Sequence, residues 1–101
     1  MDRYATLGQR VWVYNLARIT IGEFATISQQ AFLCAGTHDY TKPDMPLVTK
    51  PIVIGKGAWV AADAFVSPGI TIGDHAVILA RSVVTKDMPA GMVCAGHPCK
   101  P

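Results

Sequence analysis

Three histidines and three cysteines are the side chains of this 101-residue protein best suited to proton transfer, metal binding or covalent chemistry. His38 stands in a polar run, Gly36-Thr37-His38-Asp39-Tyr40-Thr41-Lys42-Pro43-Asp44-Met45-Pro46. An imidazole ordinarily titrates near about 6.5, so a loop histidine can take a proton from a hydroxyl at neutral pH. His75 falls in the turn-like Ile72-Gly73-Asp74-His75, and His97 precedes Pro98; both read as surface or structural residues. The histidines lie 37 and 22 residues apart, with no His-x4-His pair, so their spacing gives no zinc set. Cys34, Cys94 and Cys99 are an odd number at spacings that match neither a disulfide framework nor a zinc knuckle. They read as small core fillers of a reduced, cytoplasmic protein.

The elements that must hold His38 are written in a period of six. Ile-Gly-x-x-Ala occurs at Ile21-Gly22-Glu23-Phe24-Ala25, Ile54-Gly55-Lys56-Gly57-Ala58 and Ile72-Gly73-Asp74-His75-Ala76. Ile54, Val60, Val66, Ile72, Ile78 and Val84 form an unbroken aliphatic series, and Ile21, Ile27 and Leu33 form an earlier one. Four residues after most of these comes a small side chain: Ala25, Ala31, Thr37, Ala58, Ala64, Ala76 and Ser82, with Ile70 and Met88 as exceptions. A period of six scatters around a helix. On an extended chain, even offsets share one face, and the aliphatic residues are mostly β-branched.

Short strands with a corner after each, repeating every third strand, make a triangular solenoid. Its expected columns are Ile21/Ile54/Ile72, Ile27/Val60/Ile78 and Leu33/Val66/Val84. Gly, Asp and Asn near the breaks suit corners with positive φ, and the glycines read as corner residues. The register breaks once. Asp39 stands where the next aliphatic residue belongs, and the series resumes at Ile54, so residues 37–51 are a loop extruded from one corner. A loop that adds no core to a strict solenoid is usually functional. At the ends, Val11 and Val13 around Trp12 suggest a strand, as do Met92 to Ala95.

Composition agrees with a repeat. Half the residues are apolar, 16% are charged, and mean hydropathy is +0.30. That excludes disorder and leaves more apolar surface than so small a body hides, which favours self-association. A formal charge of +2 is too small for a dedicated nucleic-acid or membrane-surface binder. The most apolar stretch, residues 59–80, contains Asp63, Pro68, Asp74 and His75 and cannot be a membrane span. The chain reads as a single domain over 1–101.

The hexapeptide series, the loop beginning Gly36-Thr37-His38, and Val83-Val84-Thr85-Lys86-Asp87-Met88-Pro89 followed by Ala95-Gly96-His97-Pro98-Cys99-Lys100 resemble one family. It is the left-handed parallel β-helix acyltransferases, in the sugar O-acetyltransferase group. The colanic-acid-type exopolysaccharide enzymes are most similar, through Ser28-Gln29-Gln30-Ala31-Phe32-Leu33 and Gly36-Thr37-His38-Asp39-Tyr40. The resemblance implies an all-β, left-handed parallel β-helix of about five triangular coils, shorter at both ends than the family. It supplies the hand, since parallel crossovers are otherwise right-handed.

The resemblance also implies direct transfer of an acetyl group from acetyl-CoA to a saccharide hydroxyl, with His38 as general base and no metal. A backbone amide at Ala62 would hold the oxyanion. Asn15 and an outward Trp59 would contact the acceptor, with Trp59 a subunit contact otherwise. Ala80 by its backbone, with Thr85, Lys86 and Lys100, would contact CoA. Lys100 stands where the group often has Arg, which loses bidentate geometry. Family members are trimers with the active site between subunits, so a homotrimer is expected. Two other readings use the same solenoid: a γ-class carbonic anhydrase with intersubunit zinc, and a non-catalytic scaffold.

Overall fold

The computed structural model describes residue 1 and residues 3–101. Among the described residues there is no helix. Fifteen short strands follow in chain order. They are β1 (Thr6–Leu7), β2 (Trp12–Tyr14), β3 (Ile19–Ile21), β4 (Thr26–Ile27), β5 (Phe32–Cys34), β6 (Gly36–His38), β7 (Leu47–Thr49) and β8 (Ile52–Ile54). Then come β9 (Trp59–Val60), β10 (Phe65–Val66), β11 (Thr71–Ile72), β12 (Val77–Ile78), β13 (Val83–Val84), β14 (Val93–Gly96) and β15 (Cys99–Lys100).

The chain folds as a left-handed parallel β-helix with three walls. The first wall stacks β1, β4, β9, β12 and β14, with β15 added antiparallel. The second stacks β2, β5, β10 and β13; the third stacks β3, β8 and β11, extended by a bridge from Ile72 to Met88. The chain thus makes four circuits, and β14 begins a fifth. The expected columns form in register. Ile21 pairs with Ile54 and Ile54 with Ile72; Ile27 with Val60 and Val60 with Ile78; Leu33 with Val66 and Val66 with Val84. All nine side chains are buried. The small residues Ala25, Ala31, Ala58, Ala64, Ala76 and Ser82 are buried with them, because three walls meet in a narrow interior.

Thr37 is the exception. It is exposed, because the chain leaves the solenoid after Gly36, the last buried residue before the excursion. The loop is a hairpin: β6 pairs antiparallel with β7, His38 opposite Leu47 and Gly36 opposite Thr49. The Lys50 N–H then donates to the Ala35 carbonyl at 3.0 Å and closes the coil.

The corners bear out the expectation in part, with Gly57, Gly69 and Asp63 at positive φ, and correct it elsewhere. Positive φ recurs every six residues at Gly57, Asp63, Gly69, His75 and Arg81, and earlier at Tyr4, Arg10, Phe24 and Gln30. Most of these residues carry side chains and accept the left-handed conformation, which costs each about 1–2 kcal/mol. The glycines of Ile-Gly-x-x-Ala serve the stack instead. A Cβ on Gly22 would lie 2.7 Å from the Lys56 nitrogen, and one on Gly55 would lie 2.6 Å from the Asp74 nitrogen.

Candidate functional site

His38 ends β6, is exposed, and is held by its ring. Its Nδ1 lies 2.8 Å from the Met45 carbonyl oxygen. A carbonyl only accepts, so Nδ1 carries the proton in this bond and donates it. That leaves the lone pair on Nε2, the form a general base needs. Met45 itself has φ 45°, in the left-handed region. The hairpin tip is closed by the Asp39 N–H donating to the Pro46 carbonyl at 2.9 Å. The Asp39 carboxylate accepts from both the N–H and the hydroxyl of Thr41. Those two bonds, hydroxyl first, hold its carboxyl below the usual carboxylate range.

The other expected site residues fall on separate edges of the prism. Asn15 follows β2 at the second–third corner, where the Ala35 N–H donates to the Tyr14 carbonyl at 3.0 Å. It therefore sits one coil from the root of the His38 hairpin. A Cβ on Gly36 would lie 2.8 Å from Leu16 Cδ1, so a larger residue at that root would have to push the exposed Leu16 side chain aside. Thr85 and Lys86 follow β13 at the same corner, two coils further along, and are exposed. At about 4.8 Å per coil, Lys86 stands roughly 10 Å from the hairpin root along the edge.

Ala62 and Ala80 occupy the first–second corner, stacked on each other: the Arg81 N–H donates to the Ala62 carbonyl at 2.9 Å. Among the described residues, the Ala62 and Ala80 N–H groups have no hydrogen-bond acceptor. Trp59 is exposed on the first wall, and its indole N–H donates to Ser28 Oγ at 2.7 Å. Lys100 pairs with Ala95 at the end of that wall. Within one chain the structure thus groups His38 with Asn15, Thr85 and Lys86. The second wall separates them from Ala62 and Ala80.

Sequence reasoning missed Met45, Thr41 and Ser28. The Asp39-x-Thr41 spacing carries an Asx-turn signal. Nothing in the sequence marks the Met45 carbonyl. His75 is exposed with its ring over Gly57, and His97 is exposed. Among the described residues, no group of three or more His, Cys, Asp or Glu is placed to hold a metal ion. No helix of the described residues is long and apolar enough to cross a membrane. Cys34, Cys94 and Cys99 are free; the last two are buried, and burial pushes both thiols up.

Residues 51–86 match the bacterial transferase hexapeptide family (six repeats). Over its coils and hairpin the chain is similar to the putative colanic acid biosynthesis acetyltransferase WcaF of Escherichia coli strain K12. They are 48% identical over 95 residues, 94% of this chain and 52% of that protein. The chain belongs to the hexapeptide-repeat family. This hexapeptide-repeat protein is also 30% identical to the galactoside O-acetyltransferase of the same organism, over 98% of this chain and 63% of that one. Among solved structures, a galactoside acetyltransferase in complex with coenzyme A superimposes with a TM-score of 0.82 at 29% identity, covering 96% of this chain and 53% of that one. A maltose O-acetyltransferase from Clostridium difficile 630 gives 0.83 at 28%, covering 96% and 57%. The chain spans about half the length of the first curated relatives it matches.

Proposed function

We propose that this hexapeptide-repeat protein is an acetyl-CoA-dependent O-acetyltransferase acting on a saccharide hydroxyl, with His38 as general base. The observation that carries the reading is the His38 ring, tied through Nδ1 to the Met45 carbonyl with Nε2 left basic. It stands on one edge with Asn15 and Lys86, in a chain whose relatives are named acetyltransferases.

His38 Nε2 takes the acceptor's hydroxyl proton as the oxygen bonds to the thioester carbonyl carbon. The Ala62 N–H meets the negative charge that develops on the carbonyl oxygen. As the carbon–sulfur bond breaks, Nε2 returns the proton to the departing thiolate, so the enzyme ends as it began. Asn15 orients the acceptor. Lys86 and Lys100 are phosphate partners for CoA, and Thr85 and the Ala80 backbone line its path.

Because Ala62 and His38 lie on different edges of one chain, the site is assembled between copies, most simply in a homotrimer. Two neighbouring walls are apolar enough to serve. The second carries a stack of Trp12, Phe32 and Phe65 with ring centroids 5.5 Å apart, and the first carries Trp59, Val77 and Val93. Acetyl-CoA and three reduced cysteines suit a cytoplasmic setting.

His38→Ala is expected to abolish acetyl transfer to sugars while CoA binding and the assembly persist. Full activity in that variant would remove His38 as base. The absence of a thermal shift with saturating CoA would favour a scaffold, since a ligand at 100 times its Kd stabilises by roughly 2.7 kcal/mol.

A further inference from the structure

We propose that Asp39 is a positioning residue for His38, acting through the hairpin tip. The inference rests on the reading of His38 as base. The tip contains a continuous chain of bonds from the Asp39 carboxylate to the histidine ring. Asp39 Oδ1 accepts from the Thr41 N–H at 3.0 Å and from the Thr41 hydroxyl, forming an Asx turn. The Lys42 N–H reaches back to the Asp39 carbonyl at 3.4 Å, and the Met45 N–H donates to the Lys42 carbonyl at 3.0 Å. The Asp39 N–H closes the ring of contacts on Pro46.

Met45 is thereby set at φ 45°, a conformation an unbranched side chain rarely takes unaided. The direction of its carbonyl depends on the turn that precedes it. That carbonyl is the group that fixes the proton on His38 Nδ1. The turn lies wholly outside the solenoid, whose core begins again at Ile52. The carboxylate therefore has work at the histidine and none in the core.

The test uses the full chain with Asp39→Ala and Asp39→Asn, and Thr41→Val as a second break in the same turn. The nitrogen NMR signals of the His38 ring report which nitrogen holds the proton, independently of turnover. Asp39→Ala and Thr41→Val are expected to convert a single Nδ1–H signature into a mixture of tautomers, with the thermal midpoint unchanged. Asp39→Ala should lower kcat about tenfold with little change in KM for acetyl-CoA. Asp39→Asn should restore both readouts, because an amide oxygen accepts the same two bonds. A retained Nδ1–H signature in Asp39→Ala and Thr41→Val overturns the proposal, whatever the activity. A mixed signature with undiminished kcat removes His38 as base, and with it any catalytic purpose for Asp39.

Discussion

The corner at Lys56-Gly57 and the corner at Ala62-Asp63 are six residues apart and share one backbone path. The His75 N–H donates to the Lys56 carbonyl at 2.8 Å, and the Arg81 N–H donates to the Ala62 carbonyl at 2.9 Å. Their side chains separate them. At the first, Asp74 from the coil above caps the Lys56 N–H at 2.9 Å. Gly55 leaves room for that carboxylate, and the His75 ring covers Gly57. At the second, the residue above Ala62 is Ala80, whose side chain offers no acceptor, and among the described residues the Ala62 N–H has none. The Lys56 corner is closed because a carboxylate stands one coil up. An alanine in that place leaves the same backbone N–H without that acceptor.

Converting the open corner into the closed kind is expected to give the largest effect. Because Ala61 stands where Gly55 makes room for a carboxylate, Ala61→Gly together with Ala80→Asp should capture the Ala62 N–H and lower kcat by about a hundredfold, the order seen when one oxyanion donor is lost. Slowed exchange of the Ala62 amide would show the capture, and unchanged kcat despite it would show that this amide is not the oxyanion donor. Next, Gly55→Ala should drive a methyl into the Asp74 backbone and destabilise by about 1–3 kcal/mol. Near this size each 1 kcal/mol lowers Tm by about 4–8 °C, which calorimetry resolves. Asp74→Ala should cost about 1 kcal/mol by freeing the Lys56 N–H, and leave turnover alone.

The smallest effect is set by pH. The buried Cys94 and Cys99 favour their neutral thiols, so their contribution is complete below the ordinary thiol range. It is lost as pH rises through their raised values. Denaturant midpoints measured from neutral to alkaline pH should fall, and fall less in Cys94→Ala.

The solenoid was legible because one residue type must recur wherever coils stack. Ile21, Ile54 and Ile72 occupy one column, and the six-residue step from Ile54 through Val60 and Val66 to Ile72 scatters around a helix. The hairpin was legible as a gap in that rule at Asp39. The corner chemistry was not. Phe24, Gln30 and Arg81 adopt a left-handed φ that their types do not advertise. Gly22 and Gly55 owe their identity to a neighbour one coil away in space. His38 could be picked out by type and place. Its tautomer depends on the Met45 carbonyl, and a backbone oxygen leaves no trace in residue type.

The two tryptophans sit on different walls. Trp12 is 62% exposed at one end of the aromatic stack on the second wall, and Trp59 is 47% exposed on the first. Fluorescence can therefore read each wall separately once the other indole is replaced by phenylalanine. Trp12 should report any body that docks on the stacked rings, and Trp59 any that covers its contact with Ser28. Blue-shifted emission from one indole and not the other, followed against protein concentration, would show which wall a neighbouring copy uses.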